Sequence, residues 1–257
     1  MPNSNRPRTR VERSRAGNVA TLLFSTEGGI NVFSSSVLGE LGEHLNQIAE
    51  DAHIRFVVLR GEGRIFLAGA NIEEMAQFDQ SRGEALSNHG HHVFDLLEAL
   101  PQVTIAAING HALGGGCELA IACDFRIAVA SAQIGQPESR LGLIPGWGGT
   151  QRLPRLVGLS RARRMMFSGE SISADEARAI GLVDEVVPTV EDLDAAMRRW
   201  FVALTPGSPA AVKRIKRALR SGDETDQFSL CFSCSDAKEG IAAFLEKRAP
   251  LWAAPPP

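Results

Sequence analysis

The sequence predicts an α/β fold, and three observations support that class. Short, almost wholly apolar runs such as "IRFVVL" (54–59) and "VTIAAI" (103–108) have the length of buried strands and are bounded by Gly, Asn or Asp. Between them, apolar residues recur every three to four positions, as they do on amphipathic helices. The 257 residues are enough for one large domain. Strands that alternate with helices are typical of α/β proteins.

The predicted elements follow in order along the chain. We expect a first strand at 19–24 and an amphipathic helix at 35–50, before the first buried run. A second amphipathic helix at 85–99 leads to the second buried run. A third buried strand, "FRIAVA", is expected at 125–130.

The last third of the chain changes in character. Ser173 and Glu176 have the spacing of a capping box that opens a short helix, and "LVDEVVP" indicates one more strand that ends at Pro188. After that, only helical patterns follow. The pair 208–209, Ser then Pro, is a typical helix start, and 236–248 forms another amphipathic segment.

These patterns divide the chain into three regions. We expect a basic N-terminal tail at 1–10, an α/β core that carries the site at 11–190, and a helical C-terminal region at 191–257. Residues 1–15 hold five arginines against one glutamate but no apolar segment, so they are no secretory signal. A solvated tail is the interpretation that fits this composition.

Composition excludes several classes of function. A net charge of −3 argues against nucleic acid as the main partner, and no apolar run approaches the roughly 18–20 residues of a membrane span. Four cysteines are too few for a disulfide scaffold. The spacing Cys231-x-x-Cys234 lacks the second pair that a zinc site needs, so we interpret these residues as incidental thiols. A reducing cytoplasm fits this cysteine usage best.

The stretch "NGHALGGGCELAIACD" (109–124) places three glycines before a helix. It is no phosphate-binding P-loop, because Gly116 and Cys117 stand where that motif needs Lys and Ser or Thr. Glycines at a helix start can instead point free N–H groups at an oxyanion, which the helix dipole also favours. Glu118 then lies one turn into the helix, beside such a site. A tight turn without chemistry remains the alternative.

A second acid, Glu138, occurs in "QIGQPESRLGLIPGWGGTQRLP", where Pro and Gly indicate a loop. Two carboxylates that face one cavity form a general acid/base pair. Spacing alone does not bring Glu138 to Glu118, and a solvated surface glutamate is the alternative for each.

Long segments of the chain resemble one known family. "NGHALGGGCELAIACDFRIA", "GQPESRLGLIPGWGGTQRLPRLVG", "IFLAGANIEEM" (65–75), "SADEARAIGLVDEVVP" (173–188) and "DAKEGIAAFLEKRAPLW" (236–252) are similar to the enoyl-CoA hydratase/isomerase (crotonase) superfamily, in its order. The resemblance implies a spiral of ββα units and a C-terminal helical trimerisation region. It also implies an acyl-CoA thioester as substrate and a homotrimer or a homohexamer built from two trimers.

The resemblance assigns roles to particular residues. Backbone N–H groups of Ala70 and Gly115 would form the oxyanion hole for the thioester oxygen. Glu118 would act mainly as the base toward water, and Glu138 would supply the Cα proton, so a hydratase of trans-2-enoyl-CoA is implied. No metal and no cofactor beyond the coenzyme A of the substrate is expected. Further substrate or CoA contacts are expected from Ala68, Gly69, Asn71, Ile72, Gly114, Trp147 and Lys247.

Some features leave alternatives open. An enoyl-CoA isomerase or a decarboxylase of the same family needs only one glutamate, and a non-catalytic RNA-binding member would use the arginine-rich tail. Asn71 replaces the usual Asp, which preserves the shape of the loop and removes a charge. Trp147 either narrows the acyl pocket or packs in the core. The histidines at 89, 91 and 92 and the basic residues at 213–220 are expected on solvated helix faces.

Overall fold

The computed structural model describes residues 8–27 and 29–253, and within them it contains ten strands in two sheets and eleven α-helices. The strands are β1 (Arg10–Ala16), β2 (Val19–Ser25), β3 (Phe56–Gly61), β4 (Ile65–Leu67), β5 (Val103–Ile108), β6 (His111–Leu113), β7 (Phe125–Val129), β8 (Gln133–Gly135), β9 (Ser171–Ser173) and β10 (Glu185–Val187). The α/β class is therefore as the sequence predicts.

The helices lie between and after the strands. They are α1 (Ser35–Glu50), α2 (Ile72–Met75), α3 (Gln80–Ala99), α4 (Gly115–Ala122), α5 (Gly149–Val157), α6 (Leu159–Ser168), α7 (Ala174–Ala179), α8 (Glu191–Leu204), α9 (Pro209–Ser221), α10 (Glu224–Cys231) and α11 (Ser235–Leu245). Short 3₁₀ turns occupy Glu138–Leu141 and Leu251–Ala253. None of the helices in the described part of the chain is long and apolar enough to cross a membrane.

The two sheets are built from alternating strands. The larger sheet has the order β1-β2-β3-β5-β7-β10, and the smaller one has the order β4-β6-β8-β9. Strand pairs β3–β4, β5–β6 and β7–β8 each place their first strand in the larger sheet and their second in the smaller one. Helices follow each pair, so the chain winds as a succession of ββα turns. Within the smaller sheet β4, β6 and β8 are parallel, so their carboxyl ends share one edge.

Local sequence explains the helix starts. The Ser34 hydroxyl accepts a hydrogen bond from the Val37 N–H at the start of α1, and the Ser173 hydroxyl caps α7 by accepting from the Glu176 N–H at 3.1 Å. Ser208 caps α9 in the same way, through the Ala211 N–H at 3.0 Å. Such caps satisfy N–H groups that have no partner within the helix.

The structure differs from the sequence prediction at the N-terminus. Residues 1–7 of the expected tail lie outside the described residues. Arg10–Ala16 pairs antiparallel with β2 as an edge strand, although most of it belongs to the arginine-rich stretch 1–15 that the composition indicates as a solvated tail. Most of its side chains remain exposed, because only Val11 faces the core. Because only one of its seven residues is buried, the sequence lacks the alternation of apolar and polar residues that indicates a strand.

The C-terminal region is tied to the core by half-buried cations. Lys216 on α9 lies 2.6 Å from the Asp124 carboxylate and donates to the Gln102 carbonyl at 2.9 Å. Arg55 donates to the carbonyls of Thr205 and Gly207 at 3.0 and 2.8 Å. The prediction of a wholly solvated basic face on α9 is therefore wrong for Lys216, which the sequence pattern could not separate from its neighbours.

Candidate active site

A cavity of about 480 Å³ lies at the shared edge of β4, β6 and β8. Three of the chain segments that line it each follow one of these strands: 68–72 after β4, 114–118 after β6 and 137–138 after β8. The carboxyl ends of parallel strands are where ligand sites of open sheets form. Nine of the expected site residues line this cavity, namely Ala68, Gly69, Ala70, Ile72, Gly114, Gly115, Glu118, Glu138 and Trp147.

The glycine stretch makes the step from β6 into α4. Gly114 has φ +53°, a backbone conformation that disfavours side chains, and α4 begins at the next residue. A Cβ on Gly116 would lie 2.1 Å from the Leu67 carbonyl oxygen, so glycine lets α4 pack directly on β4. The N–H of Gly115, in the first turn of α4, has no acceptor within the helix. It is therefore available to a ligand in the cavity.

The loop after β4 presents a second backbone group. Phe33 donates to the Gly69 carbonyl at 2.8 Å and accepts from the Asn71 N–H at 2.7 Å, which makes an isolated parallel bridge with Ala70. In such a bridge, the N–H of the middle residue lies on the side away from its partner. A Cβ on Gly69 would lie 3.5 Å from the Gly115 nitrogen, so the two loops are in contact. The backbones of Ala70 and Gly115 thus border the same space.

Glu118 is buried on α4, with 2% of its surface exposed. Its Oε1 accepts hydrogen bonds from the Trp147 N–H at 2.7 Å and the Gly149 N–H at 2.8 Å. Burial raises the pKa of the Glu118 carboxyl, while these N–H groups and the Arg152 guanidinium oppose that rise. The carboxylate is thereby held in one orientation, with backbone donors that favour its charged form.

Glu138 is half-buried at the start of the 3₁₀ turn that follows β8. Burial, and after it the nearby charge of Glu118, raises the pKa of Glu138 to about 7. Gln136, which is fully buried, lies beside it, and in the amide orientation that satisfies its neighbours its nitrogen lies 2.9 and 3.1 Å from the two carboxylate oxygens of Glu138. A pair of carboxyls in one cavity, one of them protonated near neutral pH, is suited to general acid/base chemistry.

Gly114 marks the point where the parts of the site meet. A Cβ at this position would lie 3.0 Å from Glu138 Oε1 and 3.7 Å from the Gly69 Cα. The backbone of Gly114 therefore lies next to both the loop after β4 and the Glu138 carboxyl. The backbones of Ala70 and Gly115 and the two carboxyls therefore border one volume, an arrangement that suits proton transfer next to a polarised carbonyl.

Two of the expected contacts lie outside the cavity lining. The Asn71 side chain caps α2 by accepting from the N–H groups of Glu73 and Glu74 at 3.1 and 3.4 Å. The side chain thus holds the start of α2 in place, and the expected substrate contact of Asn71 stays a prediction. Lys247 is exposed at the end of α11, far along the chain from the cavity segments, and it contributes nothing to the lining.

The structure also shows what sequence reasoning missed. His91 lines the cavity from α3 and is half-buried, so the expectation of a solvated histidine face is wrong for this residue. Arg152, 7% exposed, donates to the Trp147 carbonyl at 2.9 Å and to the carboxylates of Asp95 and Glu98. It braces the loop whose N–H groups hold Glu118. The sequence shows only that an arginine follows the glycine-rich loop, and it does not show that this side chain is buried.

The cysteines take no part in this cavity lining. Cys117 and Cys123 are buried, and burial raises the pKa of the Cys123 thiol to about 12. Cys231 and Cys234 are half-buried and unpaired. Among the described residues, no three His, Cys, Asp or Glu side chains lie together as metal ligands would.

Comparisons with known proteins agree with one another. A family model described as enoyl-CoA hydratase/isomerase matches residues 14–255. A short-chain-enoyl-CoA hydratase of Clostridium acetobutylicum is 40% identical over 245 residues, which are 91% of this chain and 94% of that protein. A crotonyl-CoA hydratase of Syntrophomonas wolfei is 40% identical over 241 residues, 90% of this chain and 92% of its own.

The fold is shared as well. A crystal structure of an enoyl-CoA hydratase from Bacillus anthracis superimposes with a TM-score of 0.87 at 38% identity, over 95% of this chain and 99% of that one. This match confirms the predicted spiral of ββα units and the helical C-terminal region.

Proposed function

The chain belongs to the enoyl-CoA hydratase/isomerase family and is an enzyme, and on that premise we propose that it adds water reversibly to a trans-2-enoyl-CoA thioester, with a 3-hydroxyacyl-CoA as product. The observation that carries this proposal is the pair of carboxyls, Glu118 and Glu138, that line one cavity together with two loops of backbone donors. The names of the similar proteins, a short-chain-enoyl-CoA hydratase and a crotonyl-CoA hydratase, support the same reaction.

In this reaction, the thioester oxygen accepts hydrogen bonds from the N–H groups of Ala70 and Gly115. The donors withdraw charge from the carbonyl, so Cβ becomes electrophilic and the enolate that forms is stabilised. Loss of one such donor typically costs roughly 3–4 kcal/mol of transition-state stabilisation. The N-terminus of α4 adds positive potential at the same place.

The two acids divide the protons of water between them. Glu118, held ionised by two backbone N–H groups, takes a proton from the water that attacks Cβ. Glu138, whose raised pKa keeps it protonated up to about pH 7, gives a proton to Cα. After hydration Glu118 holds the proton taken from water and Glu138 lacks the one that it gave, so a proton must pass from Glu118 to Glu138 through solvent before the next turnover. In dehydration each step runs in reverse, and the proton balance needs no group beyond the two acids, solvent and the substrate.

An isomerase or a decarboxylase of the same family is the second candidate, because moving or placing one proton needs one acid. The retention of two carboxyls, with separate supporting hydrogen bonds for each, favours hydration. The RNA-binding alternative rests on the arginine-rich tail, whose residues 1–7 lie outside the described part of the chain.

We also propose a homotrimer, or a hexamer of two trimers. The C-terminal helices α9 to α11 leave many large apolar side chains exposed, more than a monomer surface usually carries. They are Ile215, Leu219, Phe228, Phe232, Ile241, Phe244 and Leu245. In that assembly, exposed Lys247 is available to the CoA phosphates of a neighbouring subunit. The four unpaired cysteines fit a reducing, cytoplasmic location.

Hydration of crotonyl-CoA, followed by the loss of enoyl-thioester absorbance, tests the proposed reaction. We expect turnover by the wild-type enzyme and almost none by Glu138→Gln, which should still bind a saturated acyl-CoA. Full activity of Glu138→Gln would refute the role of that acid. Absence of turnover with crotonyl-CoA and with longer and aromatic enoyl-CoA substrates would refute the reaction.

A further inference from the structure

The indole of Trp147 forms one wall of the cavity. The side chain lines the cavity yet is only 4% exposed, so most of the indole is packed in protein. Its backbone N–H is one of the two donors that hold Glu118. The ring therefore borders the cavity next to the backbone that holds Glu118.

Two glycines on different helices make room for this ring. A Cβ on Gly90 of α3 would lie 2.1 Å from Trp147 Cδ1, and a Cβ on Gly115 of α4 would lie 2.2 Å from Trp147 Cζ3. Because these distances are so short, no residue with a side chain fits at either position while the indole stays in place. The indole therefore fills the gap between α3 and α4, with its five-membered edge on one helix and its six-membered edge on the other.

Aromatic neighbours fix the ring in place. Phe33 packs edge-on against Trp147 with ring centroids 5.4 Å apart, and Phe94 does so at 5.6 Å. Both phenylalanines are buried, and their rings also contact each other. The indole cannot rotate out of the gap without disrupting this cluster, so it acts as a rigid wall and not as a movable gate.

We propose that Trp147 limits the substrates of this enzyme to short-chain enoyl-CoA thioesters of about the size of crotonyl-CoA. The limit would act where the indole packs on Gly115, the proposed donor to the thioester oxygen, because the wall there bounds the cavity next to the acyl carbons. A smaller side chain would open the gap between α3 and α4 to further methylenes. This inference rests on the proposed acyl-CoA reaction and adds the substrate class.

The test compares kcat/KM for crotonyl-CoA and trans-2-decenoyl-CoA in each protein, so a general loss of activity cancels in the ratio. Wild type should prefer crotonyl-CoA, and Trp147→Leu should shift the ratio toward decenoyl-CoA by at least about tenfold. Each methylene that gains a buried place is worth about fourfold in binding. Trp200→Leu is the matched control, because Trp200 packs on Phe125 away from the cavity, and its ratio should equal that of wild type.

Calorimetric binding of butyryl-CoA and decanoyl-CoA provides a readout that needs no turnover. Tighter binding of decanoyl-CoA by Trp147→Leu than by wild type supports the wall even if another family reaction replaces hydration. Wild-type preference for decenoyl-CoA, or an unchanged ratio in Trp147→Leu together with unchanged binding, would overturn the inference. If Trp147→Leu does not fold, Trp147→Phe, which is smaller and still aromatic, should give a smaller shift in the same direction.

Discussion

The pH dependence of hydration tests the proposed division of labour between the two acids. Hydration needs Glu118 ionised and Glu138 protonated, so kcat/KM for crotonyl-CoA should fall on the alkaline side as Glu138 loses its proton. The pKa of about 7 for Glu138 follows first from burial and then from the charge of Glu118. The acid limb, set by Glu118, lies above the ordinary range of a carboxyl because burial raises its pKa.

The size of the effect follows from that pKa. With a pKa of about 7, about nine-tenths of Glu138 is protonated at pH 6 and about one-tenth at pH 8, so kcat/KM should drop about tenfold between these pH values. Gln136→Met should move the alkaline limb to higher pH, since it removes an amide N–H that favours the charged form of Glu138.

Initial rates of crotonyl-CoA hydration from pH 5 to 9 measure both limbs. His91 also lines the cavity, where it is the one imidazole among the described lining residues. His91→Gln is therefore the control, and its alkaline limb should stay where it is in wild type. Rates that stay level through pH 9, or an alkaline limb that disappears in His91→Gln, would refute the assignment to Glu138.

Three further outcomes are expected. Glu138→Gln should gain stability relative to wild type as pH rises from about 4.5 to 7. The reason is that the raised pKa of Glu138 makes the folded wild type lose stability over that pH range. Thermal melts of both proteins at pH 5 and pH 8 measure the difference. Arg152→Met should lower the free energy of unfolding by about 2–3 kcal/mol and Tm by about 5–10 °C. The loss is smaller than for a fully buried ion pair because Asp95 is largely exposed. Arg152→Lys should recover part of the lost stability. Gly114→Ala should lower kcat for crotonyl-CoA, because its Cβ would lie 3.0 Å from Glu138 Oε1 at a φ of +53°, and an unchanged kcat would contradict that contact.

Much of the fold could be predicted because its long elements have clear periodicity. The buried strand at 103–108 and the helix at 35–50 coincide with β5 and α1. Strands β4, β6 and β8 have three residues each, which is too few for any pattern to register. These strands bring the three site segments to one edge, so the residues alone could not show that Glu118 and Glu138 face the same cavity.

The residues that support the site could not be predicted from the sequence for a related reason. Gln136 and Arg152 act through hydrogen bonds to groups that are distant in sequence, such as the Trp147 carbonyl. Polar side chains of this kind look the same in a sequence whether they are solvated or buried. For Trp147 the sequence leaves core packing and a narrowed acyl pocket open. The structure buries the side chain at the edge of the cavity, and its effect on the substrate stays a prediction.

Product analysis in D₂O tests the central claim most directly. When the enzyme acts on crotonyl-CoA, we expect NMR and mass spectrometry to show 3-hydroxybutyryl-CoA that carries one deuterium at Cα. That product requires both addition of water at Cβ and proton delivery at Cα in one active site. Recovery of a product whose double bond has only moved, or of unchanged crotonyl-CoA, would contradict the claim that this chain is a hydratase.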